Sequence, residues 1–101
     1  MQSMGKVILE GYIVASANDL NNIKEHLDEH IKLTRAEKGC LTFNVQQRNG
    51  KELIFDVYEE FSDKEAYYFH QERLKASPWY KATRKVERHY DVSGLEATPD
   101  K

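Results

Sequence analysis

The sequence predicts an α+β domain, an antiparallel sheet carrying its helices on one face. Three observations predict it. Four stretches rich in β-branched and aromatic residues alternate with a period of two. Two longer stretches place apolar residues at three- and four-residue steps behind a capping side chain. Their order, strand, helix, strand, strand, helix, short helix, strand, contains no internal repeat and matches the split βαβ or ferredoxin-like plan.

The first strand spans residues 6–14, with Val7, Leu9 and Ile13 on one side and Ile8, Tyr12 and Val14 on the other. Both faces are apolar enough to be buried. In a chain of 101 residues a second copy of the same chain is the economical way to cover the face the helices do not reach. Ser16 to Asp19 supply capping side chains, and Leu20, Ile23, Leu27, Ile31 and Thr34 then mark a helix over about residues 19–37, with Gly39 as its C-terminal stop. His30 lies beside the apolar stripe and His26 one step further round.

Leu41, Phe43 and Val45 alternate in the second strand, and Leu53, Phe55 and Val57 in the third. A three-residue loop, Arg48-Asn49-Gly50, with Gly50 left-handed, pairs Leu41 with Val57, Phe43 with Phe55 and Val45 with Leu53, whereas a two-residue loop mixes the faces. The opposite face carries Thr42, Asn44, Gln46, Ile54, Asp56 and Tyr58, a polar and aromatic set that suits a wet subunit interface. Ser62-Asp-Lys-Glu65 reads as a capping box, with Phe61 stapling onto Ala66 and Ala66, Phe69, His70 and Arg73 on one helical face. Ser77-Pro78 starts a short third helix running to about Lys85, and residues 86–92 form the last strand. Residues 6–92 are thus expected to form one domain, with residues 1–5 as an extension and 93–101 as a flexible tail.

Charge and composition narrow the function. The chain has 15 Lys and Arg against 17 Asp and Glu, a formal net charge of −2, and so lacks the basic excess of a nucleic-acid module. Its apolar runs are far shorter than the roughly 20 residues of a membrane span, and no signal-peptide pattern opens it. A single cysteine, Cys40, excludes an internal disulfide and fits a reducing cytoplasm. No partner nucleic acid and no membrane are expected.

No P-loop, GxGxxG, GxSxG or HExxH motif occurs. His26 and His30, four residues apart, have no third ligand nearby, and Leu27 stands where a zincin carries Glu, so no metal site is expected. Cys40 has no neighbouring histidine to make it a thiolate and reads as a structural thiol. Glu59 and Glu60 alternate across their strand and do not form a carboxylate pair. His70, on the inward face of the second helix, reads either as a base near neutral pH or as a core histidine satisfied by a carbonyl. Arg73, Trp79 and Tyr80 extend a polar-aromatic wall around it, and Tyr58, Tyr67, Tyr68 and Tyr90 either line a pocket for a planar ligand or pack.

Several stretches together, Ala36-Glu-Lys-Gly-Cys-Leu-Thr-Phe-Asn-Val45, Val57-Tyr-Glu-Glu-Phe-Ser-Asp-Lys-Glu-Ala66, His70 and Ser77-Pro-Trp-Tyr80, resemble the antibiotic biosynthesis monooxygenase family over nearly all of residues 6–92. That resemblance implies a ferredoxin-like subunit, two of which pack sheet to sheet into a dimeric α+β barrel with a pocket between helices and sheet. It implies one of several chemistries: cofactor-independent oxygenation of electron-rich phenols or quinols, haem degradation, or isomerisation of a phosphorylated sugar derivative. The positions that a haem-degrading branch fills with Asn, Trp and a ligating His hold Gly11, His70 and Tyr80 here, which speaks against haem. Phe61 stands where the family commonly has Trp.

The resulting expectation is a homodimeric, cofactor-independent monooxygenase acting on a small quinol or phenol. His70 is its base, His30 or Arg73 steadies developing oxyanion charge, and Tyr58, Trp79, Tyr80 and Asn44 are the remaining substrate-binding candidates. Two rivals stand beside it. One is an isomerase of a small phosphorylated dione that uses His30 and His70 as acid and base. The other is a non-catalytic dimeric small-molecule-binding or stress module, which a pocket filled by its own side chains, with neither histidine reaching it, would favour.

Overall fold

The computed structural model describes residues 5–95; of the expected ends, residues 1–5 and 93–101, residues 1–4 and 96–101 lie outside the described residues, whereas Ser93, expected in the tail, is the last residue of the final strand. The elements are β1 (Val7–Val14), α1 (Ala17–Arg35), β2 (Cys40–Arg48), β3 (Lys51–Phe61), α2 (Lys64–Lys75), α3 (Pro78–Ala82) and β4 (Glu87–Ser93). The strands form one antiparallel sheet in the order β2-β3-β1-β4. This is the ferredoxin-like α+β arrangement that the element order predicts.

Helix α1 starts two residues before the expected position because Ser16 is the cap, its Oγ accepting from the Asp19 backbone N–H. It also ends earlier, with Ala36 as C-cap. Gly39 is not the stop. A Cβ there would fall 2.2 Å from that of Ala66, so this glycine lets the start of β2 lie against α2. Asp63, rather than Ser62, caps α2 by accepting from Ala66 N–H at 2.8 Å, and Phe61 meets Tyr67 edge-on. Phe69 is 60% exposed, contrary to its expected inward position; among the residues of α2 only His70 is buried. Helix α3 stops at Ala82, short of Lys85, where the Thr83 hydroxyl donates back to the Trp79 carbonyl at 2.8 Å.

The hairpin register differs from expectation. Arg48 pairs with Lys51 across a two-residue Asn49-Gly50 turn, and an irregularity then brings Gln47 opposite Phe55, Val45 opposite Val57 and Phe43 opposite Glu59. Relative to the expected pairs, β3 has slipped by four residues. An even slip preserves the pleat, so the predicted faces survive. Gly50 is left-handed at φ 75°, as the turn requires.

Leu9 and Ile13 of β1, Phe43 and Val45 of β2, and Phe55 and Val57 of β3 meet Ile23 of α1 and Trp79 and Ala82 of α3 in the core. Among the described residues the other sheet face bears no helix. Tyr12 stacks on His89 at 4.6 Å there, Arg48 lies over the Tyr12 ring and pairs with Asp56, and the Tyr58 hydroxyl donates to Glu60. Among the described residues no helix is long and apolar enough to cross a membrane.

Candidate active site

Between the helices and the sheet lies a cavity of about 270 Å³. Its floor comes from the sheet, with Leu9, Phe43, Val57 and Glu59; its roof is His30 of α1, His70 and Leu74 of α2, and Trp79 of α3; Arg88 and Tyr90 of β4 close one side. The volume falls just below the ~300–1,000 Å³ of typical small-molecule sites, which sets the scale at a ligand of one or two rings.

His70 is held by a built polar group. Its Nδ1 lies 3.0 and 3.2 Å from the two Glu37 carboxylate oxygens, and Arg73 Nε donates to Glu37 Oε2 at 2.5 Å while its Nη2 donates to Thr34 Oγ1 at 3.0 Å. A carboxylate only accepts, so Nδ1 carries the proton and Nε2 keeps the lone pair. Burial lowers the His70 pKa, partly offset by the hydrogen bond and charge of Glu37. The imidazole is therefore neutral around pH 7, a base of fixed tautomer.

His30 stacks parallel on the Trp79 indole at 4.6 Å and meets Phe43 edge-on, 6.1 Å from the His70 ring. Desolvation, with further contributions from His70 and Arg73, pushes its pKa down to about 3, and its buried Nδ1 has no hydrogen-bond partner among the described residues. Glu59 is shifted the other way. Buried at the cavity floor with Glu37 nearby, it is pushed up to about 8, and its Oε1 also has no hydrogen-bond partner among the described residues. Desolvation and Glu59 together push Tyr90 up to about 12.

The structure brings five of the sequence candidates, His70, His30, Trp79, Tyr67 and Tyr90, to the cavity and leaves five outside it, among them Tyr68, which is exposed. Arg73 touches Glu37 instead of the cavity. Tyr80 is 37% exposed, because one residue step on α3 turns it away from the buried Trp79. Asn44 and Tyr58 stand opposite one another on the uncovered sheet face, where Asn44 accepts from Arg35. Cys40 is half-buried, and desolvation and Glu37 raise its thiol pKa, so it carries no thiolate character. Sequence reasoning missed Glu37, Glu59 and Arg88. For Glu59 the signal was present: alternation sets it on the same face as Phe55 and Val57, a carboxylate in an apolar row.

The model of the family described as antibiotic biosynthesis monooxygenase matches residues 8–85. The chain belongs to this family. Solved structures share the family fold: a Nitrosomonas europaea protein named after the antibiotic biosynthesis monooxygenases aligns at TM-score 0.71 and 16% identity, covering 87% of this chain and 93% of its own. PA3566 of Pseudomonas aeruginosa gives 0.69 at 19% identity with 91% and 93% covered. A Deinococcus radiodurans protein, also named after the antibiotic biosynthesis monooxygenases, gives 0.64 at 24% identity with 91% and 92% covered. No curated protein matches the sequence.

The shifted groups of this antibiotic biosynthesis monooxygenase family member make stability depend on pH. The Glu59 pKa is raised from 4.5 to about 8, so the folded state holds a proton that the unfolded chain releases, and stability falls as pH rises through that range. His30, lowered from 6.5 to about 3, acts oppositely, and stability falls as pH drops through its range. The two slopes offset each other between about 4.5 and 6.5, leaving an alkaline limb that belongs to Glu59. Urea midpoints are expected to fall between pH 6 and pH 9 in the wild type and to stay level in Glu59→Gln. A matching fall in both proteins would place the limb on other groups.

Proposed function

We propose that the protein is a cofactor-independent monooxygenase of a small phenol or quinol, with His70 as the base. The observation that carries this reading is the Glu37–His70 pair, which leaves a neutral imidazole whose Nε2 has no hydrogen-bond partner among the described residues, in a side chain that lines a partly apolar cavity of one- to two-ring size. Membership of a family described as antibiotic biosynthesis monooxygenase supports the reaction type.

Nε2 takes the phenolic proton, and the resulting anion is electron-rich enough to pass an electron to O2. Recombination of the two radicals forms a ring carbon–oxygen bond. The peroxide oxygen takes a proton back, and the O–O bond breaks with loss of water, so that a phenol and O2 give a quinone and water. The substrate supplies all four electrons. The protein contributes deprotonation, orientation and exclusion of bulk water.

The rival isomerase needs two titrating histidines. Burial lowers the His30 pKa to about 3, so no imidazolium stands there near pH 7, which supports the oxygenase reading over the isomerase. A pocket filled by its own side chains and out of reach of both histidines would favour the binding-module rival; this cavity is open and both histidines line it.

A second copy of the chain is proposed to cover the helix-free sheet face, whose stacked Tyr12, His89 and Arg48 form a broad aromatic and polar platform, and the cytoplasm is its proposed compartment. Oxygen uptake above autoxidation, in metal-stripped protein given a panel of one- and two-ring phenols and quinols, is the expected result. One atom from labelled O2 should appear in the product and one in water. Uptake no faster than autoxidation across the panel would overturn the reading.

A further inference from the structure

Two buried polar atoms of the cavity, His30 Nδ1 and Glu59 Oε1, make no hydrogen bond among the described residues. Buried polar groups are ordinarily paired, and each unpaired one costs stability. Their cost is understandable if a ligand, rather than the protein, is their partner. Glu59 stands out because it rises from the sheet floor, while His70 descends from the helix layer.

The groups around Glu59 do not favour its anion. Glu37 is a second carboxylate close enough to disfavour its charge, and Tyr67 of α2 and Tyr90 of β4 are neutral phenols. Cys40 of β2 is an un-ionised thiol, and the imidazoles of His30 and His70 are neutral. Arg88 is the one cation lining the cavity, and its Nη2 is already committed to the Thr83 carbonyl at 2.8 Å. An un-ionised carboxyl owns one O–H donor. A ring that fills the cavity shuts this donor off from water and must accept its hydrogen bond or leave it unpaired.

We propose that Glu59 is a substrate-binding acid whose neutral carboxyl donates a hydrogen bond to an uncharged ligand oxygen on the wall opposite His70, so that the cavity selects rings carrying a carbonyl or second hydroxyl oxygen there. Of the proposed function, this rests only on the same cavity holding the substrate. It narrows the substrate to ring compounds with two oxygen functions, one facing each wall, and makes the quinone product a ligand in its own right.

Binding tests it without turnover. The probes are 1-tetralone, a two-ring ketone with no acidic hydroxyl, and tetralin, the same skeleton without oxygen. Trp79 is the single tryptophan and lines the cavity, so its fluorescence reports occupancy. At pH 7 the ketone is expected to bind at least about tenfold more tightly than tetralin. Its advantage is expected to shrink about tenfold at pH 9 as Glu59 ionises, with tetralin unchanged. Glu59→Gln, which keeps a donor, should retain the advantage and lose its pH dependence; Glu59→Leu should lose the advantage.

Equal affinities for the two probes, no measurable ketone binding, or an advantage that survives in Glu59→Leu would each overturn the proposal. Ketone binding that follows this pattern without any oxygen uptake would remove the oxygenase reading and leave Glu59 in its role. Oxygen uptake with no ketone preference would do the reverse.

Discussion

His70→Ala is expected to slow oxygen uptake by about 10²–10⁴-fold, the usual worth of a positioned general base. The loss should fall on kcat, because Trp79, Phe43 and the rest of the cavity wall that binds the ring remain. The alanine also leaves a space the size of an imidazole beside that wall, so added imidazole is expected to restore part of the rate. Rescue separates a missing base from a collapsed site. The wild-type rate should fall on the acid side with an apparent pKa below 6.5, because burial lowers the His70 value. Glu37→Gln removes the anion that holds this value up, moving the acid limb lower still and weakening the base. An alanine variant that consumes oxygen at the wild-type rate would move the chemistry elsewhere.

The second large effect is on stability. Glu37→Ala is expected to cost about 3 kcal/mol, the low end of the range for breaking a buried ion pair, because the Arg73 side chain is 24% exposed and water can reach part of its guanidinium. For a domain of this size that corresponds to a fall in Tm of roughly 12–24 °C. Glu37→Gln should lie between the two, since an amide oxygen still accepts from His70 Nδ1 while its NH2 faces Arg73. Combining Glu37→Ala with His70→Ala should cost clearly less than the two losses added, because each single change strands the partner that the other removes. Calorimetry on the four proteins measures this, and strict additivity would mean that the pair is not a unit.

The fold could be read from the sequence where a period was involved. Alternation assigned every strand, and the parity of Phe43, Val45, Phe55 and Val57 was right even though the register was not. Register depends on the irregularities beside Arg48 and near Cys40, backbone events to which no side-chain pattern corresponds. Gly39 was misread because a close approach between segments far apart in sequence looks, in one dimension, like an ordinary helix stop.

The site divides along the same line. His30, His70 and Trp79 sit where helical periodicity or a start signal places them. Asn44 and Tyr58 already belonged to the polar sheet face, and the cavity is on the other side. Glu37 lies after the end of α1, where periodicity gives no direction for a side chain. Glu59 was visible to alternation but was weighed only as one half of a pair with Glu60. A single carboxylate in an apolar row is itself the signal, because only a cavity or a partner can make that burial tolerable.

The way α2 is fastened ties the proposed base to the rest of the domain. The one residue this helix buries is His70, and the acceptor that orients it, Glu37, belongs to a different segment. One hydrogen bond therefore joins α2 to the stretch after α1 and at the same time fixes the imidazole tautomer. Any change that loosens α2 from that stretch would release the Nδ1 proton from its acceptor, so the seating of the helix and the readiness of Nε2 are a single property of the fold.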